Sequence, residues 1–138
     1  MDPEITDPKK INWFNLSLNP DLSEEFIRKW INYTYFHNIE KSVKLSEGFI
    51  EEFIDKFTPR YLCQYQELSA EFIRKYPDSI CWRSVSARQK LSESFIEEFE
   101  DKVFWPNIAQ YQDISDEFVE KWSDRLIPNL LRLNKIRG

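Results

Sequence analysis

Apolar residues fall four apart in the stretch LSEEFIRKW, at Leu22, Phe26 and Trp30, with polar residues between them. That spacing paints one stripe along a short helix. The stretch returns as LSEGFIEEF from Leu45, LSAEFIRKY from Leu68, LSESFIEEF from Leu91 and ISDEFVEKW from Ile114, every 23 residues and without insertion. In each, a β-branched aliphatic follows the Phe (Phe26, Phe49, Phe72, Phe95, Phe118), and an aromatic lies four beyond it (Trp30, Phe53, Tyr76, Phe99, Trp122). A recurrence this regular reads as a tandem array.

Polar residues mark where each helix begins and ends. Serine at the second position (Ser23, Ser46, Ser69, Ser92, Ser115) offers a hydroxyl to a free backbone N–H at a helix start, and the acids that follow favour the positive end of the helix dipole. Asn32, Asp55, Asp78, Asp101 and Asp124 predict a turn at position eleven, reinforced by Pro77. A second helix follows. It buries position thirteen (Phe57, Ile80, Val103, Leu126), position fifteen (Phe36, Trp82, Trp105) and position eighteen (Ile39, Leu62, Val85, Ile108, Leu131). Pro59 and Pro128 replace the position-fifteen aromatic and suit a helix's first turn, where no N–H is needed.

Helices this short are marginal alone, so neighbouring units must supply the core. The expected fold is therefore all-α: a short α-solenoid of five stacked helix-turn-helix repeats at 22–44, 45–67, 68–90, 91–113 and 114–138, within one domain over 1–138. Residues 1–21 form an N-terminal cap and half repeat, since WFNLSLNPD from Trp13 aligns with a second helix. Positions seven and eight alternate in sign: Arg28-Lys29, Glu51-Glu52, Arg74-Lys75, Glu97-Glu98 and Glu120-Lys121. Stacked in register, each basic pair would lie between acidic pairs. Leu130 and Leu133 mark the last helix as a shield for the end of the array, with a self-association surface as the alternative.

Composition narrows the function classes. Two glycines in 138 residues leave no P-loop or dinucleotide-binding turn and disfavour hairpin-rich sheets. A net charge of -5 disfavours a general nucleic-acid or anionic-membrane binder. No run approaches membrane-spanning length, and MDPEITDPKK has no apolar core of a secretory signal, so a cytoplasmic protein with Cys63 and Cys81 as reduced thiols is expected. His37 is the only histidine, which excludes a zinc site needing two, and the paired carboxylates are adjacent residues that diverge on a helix. No catalytic residue, metal site or cofactor is expected, and the protein is read as a non-enzyme.

The LSEEFI phrase, a Trp after the turn, and the Tyr-Gln endings of YLCQYQELS and NIAQYQDIS resemble short α-helical tandem repeats of largely uncharacterised giant-virus, phage and bacterial proteins. The resemblance covers Trp13 to about Ile136. The first unit departs from it, with YFHNIEKSVK lacking the Tyr-Gln, as does the second, with Pro59 for the Trp. It implies an interaction scaffold, a viral or mobile-element origin, and action in the host cytoplasm on a host component.

Function is then sought where the units disagree, at positions sixteen, seventeen, nineteen and twenty. There Arg60, Tyr61, Gln64, Arg83 and Ser86, with Tyr65 and Arg88 close behind, form a basic and aromatic cluster of residue types favoured in binding hot spots. The leading expectation is a protein-binding module, an inhibitor or adaptor, with this cluster as its interface. Two alternatives remain: a nucleic-acid-linked role, through an Arg60, Arg83 and Arg88 strip on phosphate or through acidic mimicry of nucleic acid, and a structural protein that dimerises through its C-terminal end. No membrane partner is expected.

Overall fold

The computed structural model describes residues 2–132, and among them every element is helical, with no strand. The chain divides into two compact halves, Met1–Leu68 and Ser69–Gly138. In the N-terminal half, α1 spans Trp13–Leu16, α2 Glu24–Lys29, α3 Phe36–Ser42, α4 Glu47–Glu52 and α5 Pro59–Tyr65. The C-terminal half holds α6 Ala70–Lys75, α7 Trp82–Arg88, α8 Glu93–Glu98, α9 Trp105–Tyr111, α10 Asp116–Lys121 and α11 Ser123–Arg132.

Each LS phrase begins a helix for the reason its serine suggests. The hydroxyls of Ser23, Ser46, Ser69, Ser92 and Ser115 accept the N–H of the Phe three residues on, at 3.0 to 3.2 Å. The Phe and the aliphatic after it are buried in all five phrases, and the aromatic at position nine is half-buried. The second helices pack on one another within each half: α3 on α5, α7 on α9 and α9 on α11. Their cores are Ile39, Phe57 and Leu62 in one half, and Ile80, Val85, Val103, Ile108 and Leu126 in the other.

Two sets of contacts join neighbouring phrases inside the halves. The first is ionic and follows the alternating signs: Arg28 pairs with Glu52 at 2.9 Å, Arg74 with Glu98 at 2.9 Å, and Lys121 with Glu97, always position seven against position eight of the next phrase. The partners are substantially exposed, so each pair contributes only about 0.2 to 1 kcal/mol and chiefly fixes register.

The second is buried. The side-chain amide of Gln66, itself only 5% exposed, donates to the carbonyls of Glu40 and Val43 at 2.8 Å each and accepts the N–H of Leu45 at 3.0 Å. Gln112 repeats this in the other half, donating to Ser86 and Gln89 and accepting from Leu91. Each amide therefore takes carbonyls at the end of one second helix and the first N–H of the phrase that follows it, groups that no helix can pair.

The chain's ends depart from expectation in opposite ways. At the N-terminus the bonding pattern begins before Trp13, where the half repeat was expected to start: the Trp13 indole donates to the Pro8 carbonyl at 2.8 Å, as Trp82 does to Pro77 and Trp105 to Glu100 at 3.0 Å. Near the C-terminus, Pro128 lies inside a helix rather than in its first turn, because α11 runs unbroken through the turn that separates the other helix pairs. Leu130 is buried. Leu133, assigned with it, falls outside the described residues.

Replacing Gln112 with Leu strands two carbonyls and an N–H in the interior, each unpaired group costing about 1 to 3 kcal/mol. Urea denaturation should show a loss of at least 2 kcal/mol, whereas Gln64→Leu, at a half-buried position, should stay within about 0.5 kcal/mol. Equal effects would remove the buried amide from its structural role.

Candidate functional site

The seven residues singled out by sequence are divided between the two halves. Arg60, Tyr61, Gln64 and Tyr65 lie on α5 in the N-terminal half, while Arg83, Ser86 and Arg88 lie on α7 in the C-terminal half. Ser86 is not on the surface at all. It is fully buried, and its hydroxyl accepts the Phe104 N–H at 2.9 Å.

Position nineteen is thus a capping position, which the sequence reading mistook for a free one. The residues before α3, α5 and α9 (Tyr35, Thr58 and Phe104) make no side-chain cap of their own. Their N–H groups are instead taken from the preceding second helix, by Ser17 at 3.0 Å, Glu40 at 3.2 Å and Ser86 at 2.9 Å. A polar side chain there is required by the unpaired N–H opposite.

The remaining residues are on the surface. Arg60 and Tyr65 are exposed, Tyr61 and Gln64 half-buried, and Arg83 and Arg88 exposed. Arg83 already has an occupation within its own half: its guanidinium sits 4.2 Å over the Phe104 ring, and its carbonyl accepts from Asn107 at 2.8 Å.

In the N-terminal half the exposed surface of α1, α3 and α5 carries a ridge of aromatic rings. Phe14 on α1 meets Tyr35 edge-on at 5.3 Å, and the Asn38 amide donates to the Phe14 carbonyl at 3.0 Å, tying α1 to α3. On α3, His37 meets Tyr61 of α5 edge-on at 4.5 Å, and Tyr61 stacks on Tyr65 at 6.0 Å. Phe14 is 50% exposed, Tyr35 52% and Tyr65 42%, and Leu18, two residues past the end of α1, is exposed as well. Exposed rings supported by other rings are rigid, amphipathic contact area.

Phe14, Leu18, Tyr35 and His37 were missed by the sequence reading. The frame could have found three of them, since Phe14 and His37 occupy position sixteen and Leu18 position twenty, both already identified as free.

Beneath the rings lies Glu40, 1% exposed. Its carboxylate accepts the Thr58 N–H and stands 3.7 Å from the His37 imidazole. Burial pushes this carboxyl above its ordinary range, and the Thr58 and His37 contacts only partly oppose that. Every buried side-chain nitrogen and oxygen among the described residues has a hydrogen-bond partner, and no group of three or more His, Cys, Asp or Glu there is placed to hold a metal ion. Compared with family models, curated proteins and solved structures, the chain matches none.

Because folding raises the Glu40 pKa, the folded state holds this proton more tightly than the unfolded chain, and stability falls as pH rises from below 4.5 through the folded value. Glu40→Gln keeps an acceptor for Thr58 without the buried charge. Thermal melts from pH 4 to 8 should show the variant gaining on the wild type as pH rises, with little difference at the acid end; a pH-independent difference would contradict the assignment.

Proposed function

We propose that the chain is a short α-solenoid of 23-residue helix-pair repeats that serves as a non-catalytic protein-binding module, with its interface on the aromatic ridge of the second helices in the N-terminal half. The observation that carries this reading is the run of rings Phe14, Tyr35, His37, Tyr61 and Tyr65 across α1, α3 and α5. Burial of such rings is favourable on contact with a partner, and their packing against one another limits the entropy lost on binding. The polar groups of the interior are consumed by the fold, as the bonds of Gln66, Gln112, Ser17, Glu40 and Ser86 illustrate, so recognition is assigned to the surface.

The repeat reading is supported by the serine cap that recurs every 23 residues, and by an equivalent ion pair and buried amide in each half. Resemblance to viral and phage repeats makes an inhibitor or adaptor of a host protein the natural role for such a module.

The test is affinity capture from a lysate of the source or its host, followed by titration of the captured protein. The triple variant Phe14→Ser, Tyr35→Ser, Tyr65→Ser should lose affinity at least tenfold while keeping the wild-type melting profile, and Arg83→Glu, Arg88→Glu should bind as the wild type does. Undiminished binding by the triple variant would overturn this placement of the interface.

A further inference from the structure

One segment of the N-terminal half stands where the 23-residue frame calls for a helix and is not one. Residues 2–7 occupy positions four to nine, of which four to eight are helical in α2 and α4, yet they form no helix. They lie against α2, and a cavity of about 610 Å³ remains between the two, lined by Ile5, Phe26, Lys29 and Trp30 among others.

This arm reproduces one contact of the helix that the frame calls for. Asp2 accepts the Ser23 N–H at 2.8 Å and the Ser23 hydroxyl at 2.5 Å. Glu24 makes the same pair of bonds to Ser46, at 2.6 and 2.9 Å, and Glu93 makes it to Ser115, at 2.6 and 3.2 Å. In both of those cases the carboxylate comes from the first turn of a preceding helix.

The arm does not reproduce the second contact. Lys121, at position eight, is met by Glu97 from position seven of the preceding helix. Lys29 holds position eight on α2, is exposed, and meets no carboxylate at ion-pair distance among the described residues; its ammonium rests over Trp30 at 5.4 Å. The Phe49 and Phe95 rings are each covered by an arginine from the preceding helix, Arg28 or Arg74, whereas Phe26 lies against the arm and the cavity.

We propose that this socket on α2 docks a single short acidic amphipathic helix from a partner protein, carrying carboxylates at positions i and i+4 for Ser23 and Lys29 and an apolar face for Phe26 and Trp30, with the Asp2 arm displaced when it binds. A single helix is specified because the second helix that would accompany it in the frame is already supplied by α1. The end of another copy of this chain would bring a helix pair and meet α1. The site is separate from the aromatic ridge.

The probe is a synthetic peptide LSESFIEEFED, which carries the two glutamates four residues apart. Titrated into the full chain bearing Asp2→Ala, it should bind at least tenfold more tightly than into the wild type. Adding Lys29→Glu should remove that gain, and the peptide with Lys at its seventh position should restore it. Equal binding to the wild type and the Asp2→Ala chain, or binding indifferent to Lys29→Glu, would overturn the proposal, as would concentration-dependent dimerisation of the Asp2→Ala chain without response to peptide, which would make a second copy the occupant. Should Asp2→Ala fail to fold, millimolar peptide added to the wild-type chain reads the same competition: tryptophan fluorescence should shift with it and not with a peptide whose two docking glutamates are both Lys, and identical traces would refute the site.

Discussion

Backbone groups left over at the ends of short helices are the constraint on which this structure depends. A helix of six or seven residues pairs few of its own N–H and C=O groups, and those at its ends must find partners or pay for burial. The buried amides of Gln66 and Gln112 answer this at the junction between a second helix and the next phrase, each making three bonds to backbone. Side chains at position nineteen answer it at the start of the next second helix. Both devices reach from one 23-residue segment to another, so the same bonds that satisfy the backbone also fix the register in which apolar stripes meet.

This division of labour explains where binding chemistry can reside. The first helices spend their serines and acids on caps and on one another, as Glu24 with Ser46 and Arg28 with Glu52 show. The second helices bury positions thirteen and eighteen and commit position nineteen to capping. Positions fourteen, sixteen and twenty-one are left to vary, and in the N-terminal half they carry Tyr35, Phe14, His37 and Tyr65. Glu40 couples the two layers: it caps Thr58 from below while its other oxygen faces His37 at the edge of the ridge.

Much of the helical architecture was legible in the chain because it follows from period and cap chemistry. Leu22 through Trp30 announce a helix by spacing, Ser23 announces its start, and the alternation of Arg28-Lys29 with Glu51-Glu52 anticipates the Arg28–Glu52 pair. What escaped notice was of two kinds. Ser86 and Gln112 look like surface residues in a sequence, because a polar side chain is usually exposed, and only the unpaired backbone opposite them reveals that they are buried. Asp2 imitates Glu93 from a different position in the frame, with a shorter side chain on a non-helical backbone, so no alignment by spacing could pair them. The aromatic ridge was half legible: Tyr61 and Tyr65 were found, and Phe14 and His37 sat in positions already judged free.

Hydrogen exchange at single amides tests the central claim most directly. The N–H groups of Leu45 and Leu91 lie outside any helix, and those of Thr58 and Phe104 lie at helix starts, places where amides ordinarily exchange quickly. If buried side chains from neighbouring segments hold them, Leu45 and Leu91 should exchange as slowly as the helical core amides of their own halves and speed up at least a hundredfold in Gln66→Leu and Gln112→Leu, respectively. Fast exchange at Leu45 and Leu91 in the wild-type chain, at the rate of exposed turn residues, would contradict the account.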